Sequence, residues 1–332
     1  MERHKLISIV VPVYNGEDFI EKAFQNIQKQ KLPKEISVEV ILVDNKSTDH
    51  SFSIMQAIAS KESNVIVCKE YTKGAAAARN KGLSLAKGDF IYFYDVDDQL
   101  FDDTLSTLSK VLIDYPNCDA VFGKMYKSHQ NVEDIDRKML EETSTVVLKN
   151  KPYWGMKWFK DLSSVVGPPA FLYRKEVFKK IGNYEEELLT GQDTALDIKL
   201  GMSCEIASIN KYVYLYYKYS ASTTDHVKKS KSRELMQWPR LTKSHLPFYL
   251  EGNANEEFGK ILYRKIFTSV GKMIQEEESK SNREKLKKRL DADINPLKTP
   301  WLINFFQKLL IIFPNTYLLK IYIYYIVPYS FK

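Results

Sequence analysis

Leu6-Ile7-Ser8-Ile9-Val10-Val11-Pro12-Val13 is a short run of β-branched and aliphatic residues, and it reads as a buried strand. Working outward, residues Glu17 to Gln30 place Phe19, Ile20, Ala23, Phe24 and Ile27 on one helical face. Val38 to Val43 gives a second strand, and Ser47-Thr48-Asp49 supplies capping chemistry for a helix through Ile54, Ile58 and Ala59. Asn64 to Lys69 reads as a third strand, Gly74 to Ala86 as a third helix, and Asp89 to Tyr94 as a fourth strand. Strands alternating with helices at this spacing predict an α/β fold with a mainly parallel sheet flanked by helices. In such sheets ligands bind beyond the carboxyl ends of the strands. That rule directs attention to Pro12–Asn15, Asp44–Asp49 and Asp95–Asp98, each of which follows a strand.

Further along, Asp102 to Tyr115 predicts a helix and Asp119 to Tyr126 a strand, while Lys127 to Val147 reads as a polar, irregular insertion. Phe171 to Ile181 and Asp193 to Met202 look helical in part, with Gly191 between them. Cys204 to Tyr217 reads as strands rich in Val, Ile and Tyr, and beyond Ser220 the pattern turns helical and basic. At roughly 150 residues per domain, the 332 residues predict two parts. The first is an α/β part over 1–220, divided near 125. The second is a basic, amphipathic helical region over 221–332.

Composition narrows the class. A 44% hydrophobic content is ample for a core and excludes global disorder. Met1 to Lys5 run straight into the first strand without the apolar segment and small-residue cleavage site of a secretory signal. Cys68, Cys118 and Cys204 are far apart and in apolar surroundings, which points to buried free thiols in a reducing compartment and a cytoplasmic location. The net charge of +7 is uneven: His226 to Lys332 carries +10, and the residues before it −3. Such asymmetry points to an anionic partner for the tail.

The sharpest chemical signal is Phe93-Tyr94-Asp95-Val96-Asp97-Asp98, three carboxylates in four residues after an apolar strand. They repel one another unless something positive sits among them, and a hard divalent cation such as Mg²⁺ or Mn²⁺ suits oxygen ligands and bridges to substrate phosphates. A solvated acidic turn, or a helix N-terminus capped by Asp98, is the competing explanation.

With these motifs in order, the chain resembles the family 2 glycosyltransferases, inverting, nucleotide-sugar-dependent enzymes of the GT-A (Rossmann-like) fold. Ser8 to Asn15 is similar to the family's opening strand, and Val43-Asp44-Asn45-Lys46-Ser47-Thr48-Asp49 to its nucleotide-binding loop. Gly74-Ala75-Ala76-Ala77-Ala78-Arg79-Asn80-Lys81-Gly82 resembles its Gly/Ala-rich helix, Asp95-Val96-Asp97-Asp98 its Asp-x-Asp motif, and Gly191-Gln192-Asp193 falls where its catalytic acidic pair lies. The resemblance covers roughly residues 6–218 and implies a catalytic domain over 1–220, with a nucleotide-sugar half over about 1–125 and an acceptor half over about 126–220. It implies that Pro12, Tyr14, Asn15, Asp44 and Asn45 line the nucleotide pocket, and that Arg79 approaches the nucleotide or its phosphates. It places Asp95 near ribose and metal, makes Asp97 the direct ligand of Mn²⁺ or Mg²⁺, and makes Asp193 the general base for an acceptor hydroxyl.

Two departures stand out. The loop has Asn45 where a second aspartate is common, so the contact to the base changes and the choice among uridine, deoxythymidine and guanosine stays open. The acidic pair is Gln192-Asp193, leaving one carboxylate for the base role and Gln192 to hydrogen-bond the acceptor. Gln237-Trp238-Pro239-Arg240 lacks the Gln-x-x-Arg-Trp order of processive members, so a single sugar is expected per acceptor. Tyr153, Trp154 and Trp158 offer faces for an acceptor sugar, although such residues are more often core. His226 is an extra metal-ligand candidate from a Lys-rich loop.

In the tail, Lys285, Lys287, Lys288 and Arg289 precede two apolar, aromatic runs, Trp301 to Phe313 and Tyr317 to Tyr329. Lysines and a proline interrupt them short of the ~20 apolar residues of a membrane span. They read as helices lying at a membrane surface, at the inner face of the cell membrane, or else as helices packed on the protein or in an oligomer contact. The partners implied are a nucleoside-diphosphate sugar and a glycan or lipid-linked acceptor in cell-envelope synthesis, with no nucleic acid. Two other classes remain as rivals. A nucleotidyltransferase would carry a Gly-rich, basic phosphate loop after the first strand, and Pro12-Val13-Tyr14-Asn15-Gly16 does not. A non-catalytic nucleotide- or sugar-binding protein with a degenerate transferase fold is the alternative that Asn45 and Gln192 keep open.

Overall fold

The computed structural model describes residues 4–143, 145–217 and 233–331. The chain divides into two compact units, Met1–Ser222 and Thr223–Lys332.

The first unit opens with β1 (Lys5–Val13), α1 (Ile20–Gln28), β2 (Ile36–Asp44), α2 (Ser51–Ala59), β3 (Val65–Lys69), α3 (Ala75–Leu85) and β4 (Phe90–Phe93). The four strands lie in the order β3-β2-β1-β4, all parallel. Strands buried on both faces lose the polar alternation of a half-exposed sheet, which is why β1 and β4 read as continuous apolar runs. The register sets Val13 beside Asp44 and Val10 beside Phe93, so the loops after β1, β2 and β4 emerge at one edge. Gly82 on α3 lets that helix close on β1: a Cβ there would sit 2.2 Å from a methyl of Val10.

The sheet then extends with β5 (Gln99–Leu100), α4 (Thr104–Asp114), β6 (Ala120–Ser128), β7 (Val146–Lys149), α5 (Tyr153–Lys160), β8 (Phe171–Arg174), α6 (Val177–Ile181), α7 (Gln192–Ser203) and β9 (Ile206–Tyr217). Here pairing is mixed: β8 runs antiparallel between β4 and β6, while β9 is parallel to β6 and antiparallel to β5 and β7. Phe171–Ile181 is helical in part, as expected: β8 fills its first half and α6 its second. Phe171, Leu172 and Tyr173 are fully buried between two strands, and such a short apolar run carries no periodicity that separates strand from helix. Cys204 to Tyr217 contains one long strand, kinked where its register against β6 shifts. The polar insertion is held down by Arg137, which pairs with Asp103 and Glu142.

α5 and α7 touch backbone to backbone at Gly155 and Gly201, where a Cβ on Gly201 would stand 2.3 Å from the Gly155 nitrogen. α7 is thereby pinned to α5 in its last turn, and its first turn presents Asp193. Cys118 and Cys204 are buried and Cys68 is half-buried, all three free, and burial pushes the Cys204 thiol up to about 12.

The second unit is helical: α8 (Arg233–Pro239), α9 (Leu246–Leu250), α10 (Glu256–Glu276), α11 (Lys280–Asp293), α12 (Trp301–Ile312), α13 (Thr316–Ile321) and α14 (Val327–Ser330). π-helical turns at Arg240–His245 and Tyr322–Ile326 link α8 to α9 and α13 to α14. Gln237 and Trp238 serve its packing: Gln237 bonds Glu234 and Ser269, and the Trp238 indole N–H donates to Asp293 at 2.8 Å. Among the described residues no helix is long and apolar enough to cross a membrane.

Candidate active site

The site lies at the carboxyl edge of the parallel strands. After β1, Pro12 is half-buried, Tyr14 is 48% exposed, and Asn15 takes a left-handed turn at φ 48°. Such a conformation suits asparagine, whose short polar side chain bonds locally. The Asn15 carboxamide oxygen accepts from the Thr48 N–H at 2.8 Å, and its own N–H donates to Ser47 Oγ. Asn15 thus clasps the loop after β2, and Asp49 reinforces the clasp by accepting from the N–H groups of Glu17 and Ser51. Asp44 is buried beneath that loop and accepts weakly from the Ser47 N–H at 3.3 Å.

Asn45 does not turn toward a base. It is buried, its amide donates to the Thr72 carbonyl at 2.7 Å, and its oxygen accepts from the Gly74 N–H at 2.7 Å. An aspartate could make only the second of these bonds. The departure from the common pattern therefore has a local cause: this loop needs a donor as well as an acceptor. The loop it holds carries Lys73, whose ammonium lies 4.9 Å from the Tyr14 ring centre. Tyr14 and Lys73 together form an exposed aromatic and cationic platform.

Arg79, on the buried face of α3, is the centre of the site. One guanidinium nitrogen is 2.6 Å from Asp95 and another 2.7 Å from Asp193, while the Tyr184 ring lies 5.3 Å away. Burial works against its charge, but Asp193 and Asp95 outweigh that and hold it firmly protonated. In this structure the Arg79 guanidinium bonds these two carboxylates. Asp193, 32% exposed, sits in the first turn of α7 after the left-handed Gly191. Burial raises its pKa above the ordinary carboxylate value, and Arg79 only partly offsets this.

Sequence reasoning missed three neighbours. Asp197, one turn beyond Asp193, is fully buried and pushed well above the carboxylate range by burial and then by Asp193. Its i, i+4 spacing was available in the sequence. Tyr173 and Tyr184 are buried around the same cluster, and nothing in the local sequence marked them. Tyr184 is pinned by Asn80, which bonds both its N–H and its carbonyl, and its ring stands edge-on to Phe93.

In the acidic loop, Asp97 is half-buried and Asp98 buried. Burial, then the charges of Asp95 and Asp97, push Asp98 well above the usual range. Among the described residues no three His, Cys, Asp or Glu gather into a metal cage. Asp95 and Asp97 offer two hard oxygen donors, the number a Mg²⁺ or Mn²⁺ site uses when phosphates and water complete its shell, so the donor set fits such an ion. His226 lies outside the described residues.

Trp154 corrects the expectation of a sugar-stacking face. It is buried, stacks on Trp158 at 5.7 Å and meets Phe122 edge-on at 4.8 Å, so core packing occupies its ring. The Gln192 carboxamide oxygen, next in sequence to Asp193, is buried and takes no hydrogen bond among the described residues.

With this geometry in hand, residues 8–182 match the family described as Glycosyl transferase family 2. The chain belongs to glycosyl transferase family 2. This member is 29% identical over 229 residues to glycosyltransferase GlyG of Streptococcus pneumoniae, covering 66% of this chain and 72% of GlyG. It is 29% identical over 213 residues to the poly(ribitol-phosphate) beta-N-acetylglucosaminyltransferase TarS of Staphylococcus aureus, spanning 63% of this chain and 35% of TarS. The crystal structure of TarS 1–349 with UDP-GlcNAc superposes with a TM-score of 0.59 at 21% identity, covering 87% of this chain and 88% of that one. The mannosyltransferase PcManGT of Pyrobaculum calidifontis, solved with GDP-Man and Mn²⁺, gives 0.52 at 19% identity over 99% and 87%. These likenesses establish a family 2 glycosyltransferase of GT-A fold.

Proposed function

We propose that this glycosyltransferase moves one sugar from a nucleoside diphosphate to a hydroxyl of a cell-envelope polymer or lipid-linked glycan, with inversion. The observation that carries the proposal is the bridge from Asp95 through the buried Arg79 to Asp193, which joins the acidic loop to a half-buried carboxylate in the first turn of α7. TarS, named as a poly(ribitol-phosphate) beta-N-acetylglucosaminyltransferase, supports the acceptor class.

In this reading Tyr14 and Lys73 take the base, Pro12 and Asp44 line the nucleoside pocket, and Asn15 and Asn45 fix its loops. Asp95 and Asp97 would hold Mg²⁺ or Mn²⁺, which neutralises charge on the leaving diphosphate when bound. Asp193 accepts the proton of the acceptor hydroxyl, oriented by Gln192. The hydroxyl oxygen forms a bond to the anomeric carbon as the bond to the diphosphate oxygen breaks on the opposite face. A raised pKa suits the base, because its proton affinity lies closer to working pH than that of an exposed aspartate. The aromatic, basic second unit holds the enzyme at a membrane surface, where lipid-linked acceptors lie.

The test is Asp193→Asn. Nucleotide-sugar binding should persist by calorimetry while transfer falls roughly 10²–10⁴-fold, the usual share of a general base. Transfer at the wild-type rate by the folded variant would remove Asp193 from the mechanism.

A further inference from the structure

A surface helix ordinarily turns a polar, charged face outward. α12 is instead apolar on both faces. Ile303, Gln307, Leu310 and Ile311 form its buried stripe, while Trp301, Phe305, Lys308 and Ile312, at i, i+4, i+7 and i+11, form the outward one. Trp301 is 79% exposed, and Phe313 just beyond the helix is 62% exposed. This face is apolar and aromatic with one lysine in its middle.

Beside it, α11 and α12 enclose a groove of about 410 Å³ lined by four lysines, two acids and Asn304. Two of the lysines are committed: Lys287 to Asp291 at 2.5 Å and Lys280, more loosely, to Glu284 at 4.0 Å. Lys288 and Lys308 are exposed and carry no ion pair among the described residues. Arg283 makes the groove rigid, donating to the Ile311 carbonyl at the end of α12 and to the Glu277 and Glu278 carbonyls before α11. The groove thus has surplus positive charge, a fixed wall and an apolar rim.

We propose that this groove seats the phosphate of an anionic membrane lipid. Lys288 and Lys308 grip the phosphate as point charges, and Trp301, Phe305, Ile312 and Phe313 lie in the boundary between head groups and acyl chains. The volume lies within the range of sites for small organic molecules. The excess of +10 over His226 to Lys332 favours an anionic leaflet over a second copy of the same basic segment. This inference rests on the membrane contact proposed above and adds its chemistry: selectivity for phosphate-bearing, anionic lipid.

The test is co-sedimentation of the full chain with vesicles of phosphatidylcholine alone and with one third phosphatidylglycerol. The protein is expected to prefer the anionic vesicles, with the preference reduced by salt. K288E/K308E should lower binding to them by roughly tenfold or more, with thermal unfolding and nucleotide binding unchanged. F305S/F313S should weaken binding to both vesicle types. If wild type binds anionic vesicles and K288E/K308E binds them equally well, the groove is overturned while the membrane contact stands. If wild type binds neither vesicle, both fall. Concentration-dependent self-association that F305S/F313S abolishes, with no vesicle binding, would assign the face to a second copy instead.

Discussion

The guanidinium of Arg79 stands between Asp95 and Asp193, 2.6 Å from an oxygen of one and 2.7 Å from an oxygen of the other. One buried side chain on α3 thereby couples the loop after β4 to the first turn of α7. The carboxylates come from segments nearly a hundred residues apart in sequence, and a bidentate cation fixes their separation. Removing either acid leaves the buried charge half-compensated, so the three residues should act as a unit.

The pH dependence follows from that bridge. Asp193 must be ionised to act as base, so activity should rise with pH through its pKa, above the 3.8 of an ordinary aspartate. Arg79 pulls that pKa down against burial. Arg79→Gln should therefore move the acid limb of kcat/KM to higher pH, besides lowering its plateau, and Arg79→Lys should leave the limb near its original place. A limb that stays put or moves to lower pH in Arg79→Gln would show that Asp193 is not the titrating base.

Metal use should be separable from nucleotide recognition. Asp97→Asn is expected to lose the gain in nucleotide affinity that Mn²⁺ or Mg²⁺ confers, while the weaker metal-free binding persists. Changes to partners outside the first ligand layer already cost roughly 10–100-fold in metal affinity, so a direct ligand should cost at least that. Calorimetry with and without chelator reads the effect. The same metal dependence in wild type and variant would take Asp97 out of the metal site.

Asn45→Asp tests the reason given for the unusual residue. A carboxylate there loses the donor to the Thr72 carbonyl and faces that oxygen, at a cost of about 1–3 kcal/mol. Melting temperature and nucleotide affinity should fall together, and both should recover toward acid pH as the new carboxyl takes up a proton. Retained affinity at neutral pH would mean the 70–74 loop does not shape the pocket.

Gly201→Ala probes the support behind the base. The added methyl would meet the Gly155 backbone at 2.3 Å, where no flexible side chain can yield. Pushing α7 off α5 should cost about 1–3 kcal/mol as overpacking, and transfer should drop more than donor binding because Asp193 rides on the displaced helix. Unchanged melting and turnover would show that the two helices separate freely.

Much of the site was legible before the fold was seen. Pro12, Tyr14, Asp44 and Asp95 each follow an apolar run, and strand ends in a parallel sheet meet at one edge, so linear order alone brought them together. Arg79 and Asp193 were legible as residues but not as partners, because the contact joins α3 to α7. Trp154 stayed open between sugar contact and core in the sequence, because an aromatic near a polar insertion looks the same whether its ring faces a sugar or Trp158. Phe171–Ile181 was legible only as partly helical for a related reason: the short, wholly apolar segment at its start has no periodicity to declare its state.

The sequence by itself determined the parallel β1–β4 half, the acidic loop at its edge and the uneven charge of the tail. These depend on local pattern and on what short connections allow. Only the tertiary structure decided that Asn45 holds the 70–74 loop, that Arg79 bridges Asp95 to Asp193, and that α12 turns its aromatic stripe outward beside a lysine-lined groove. Those relationships depend on which face of one element meets which face of another, and side-chain burial across distant segments is not encoded in any local run of residues.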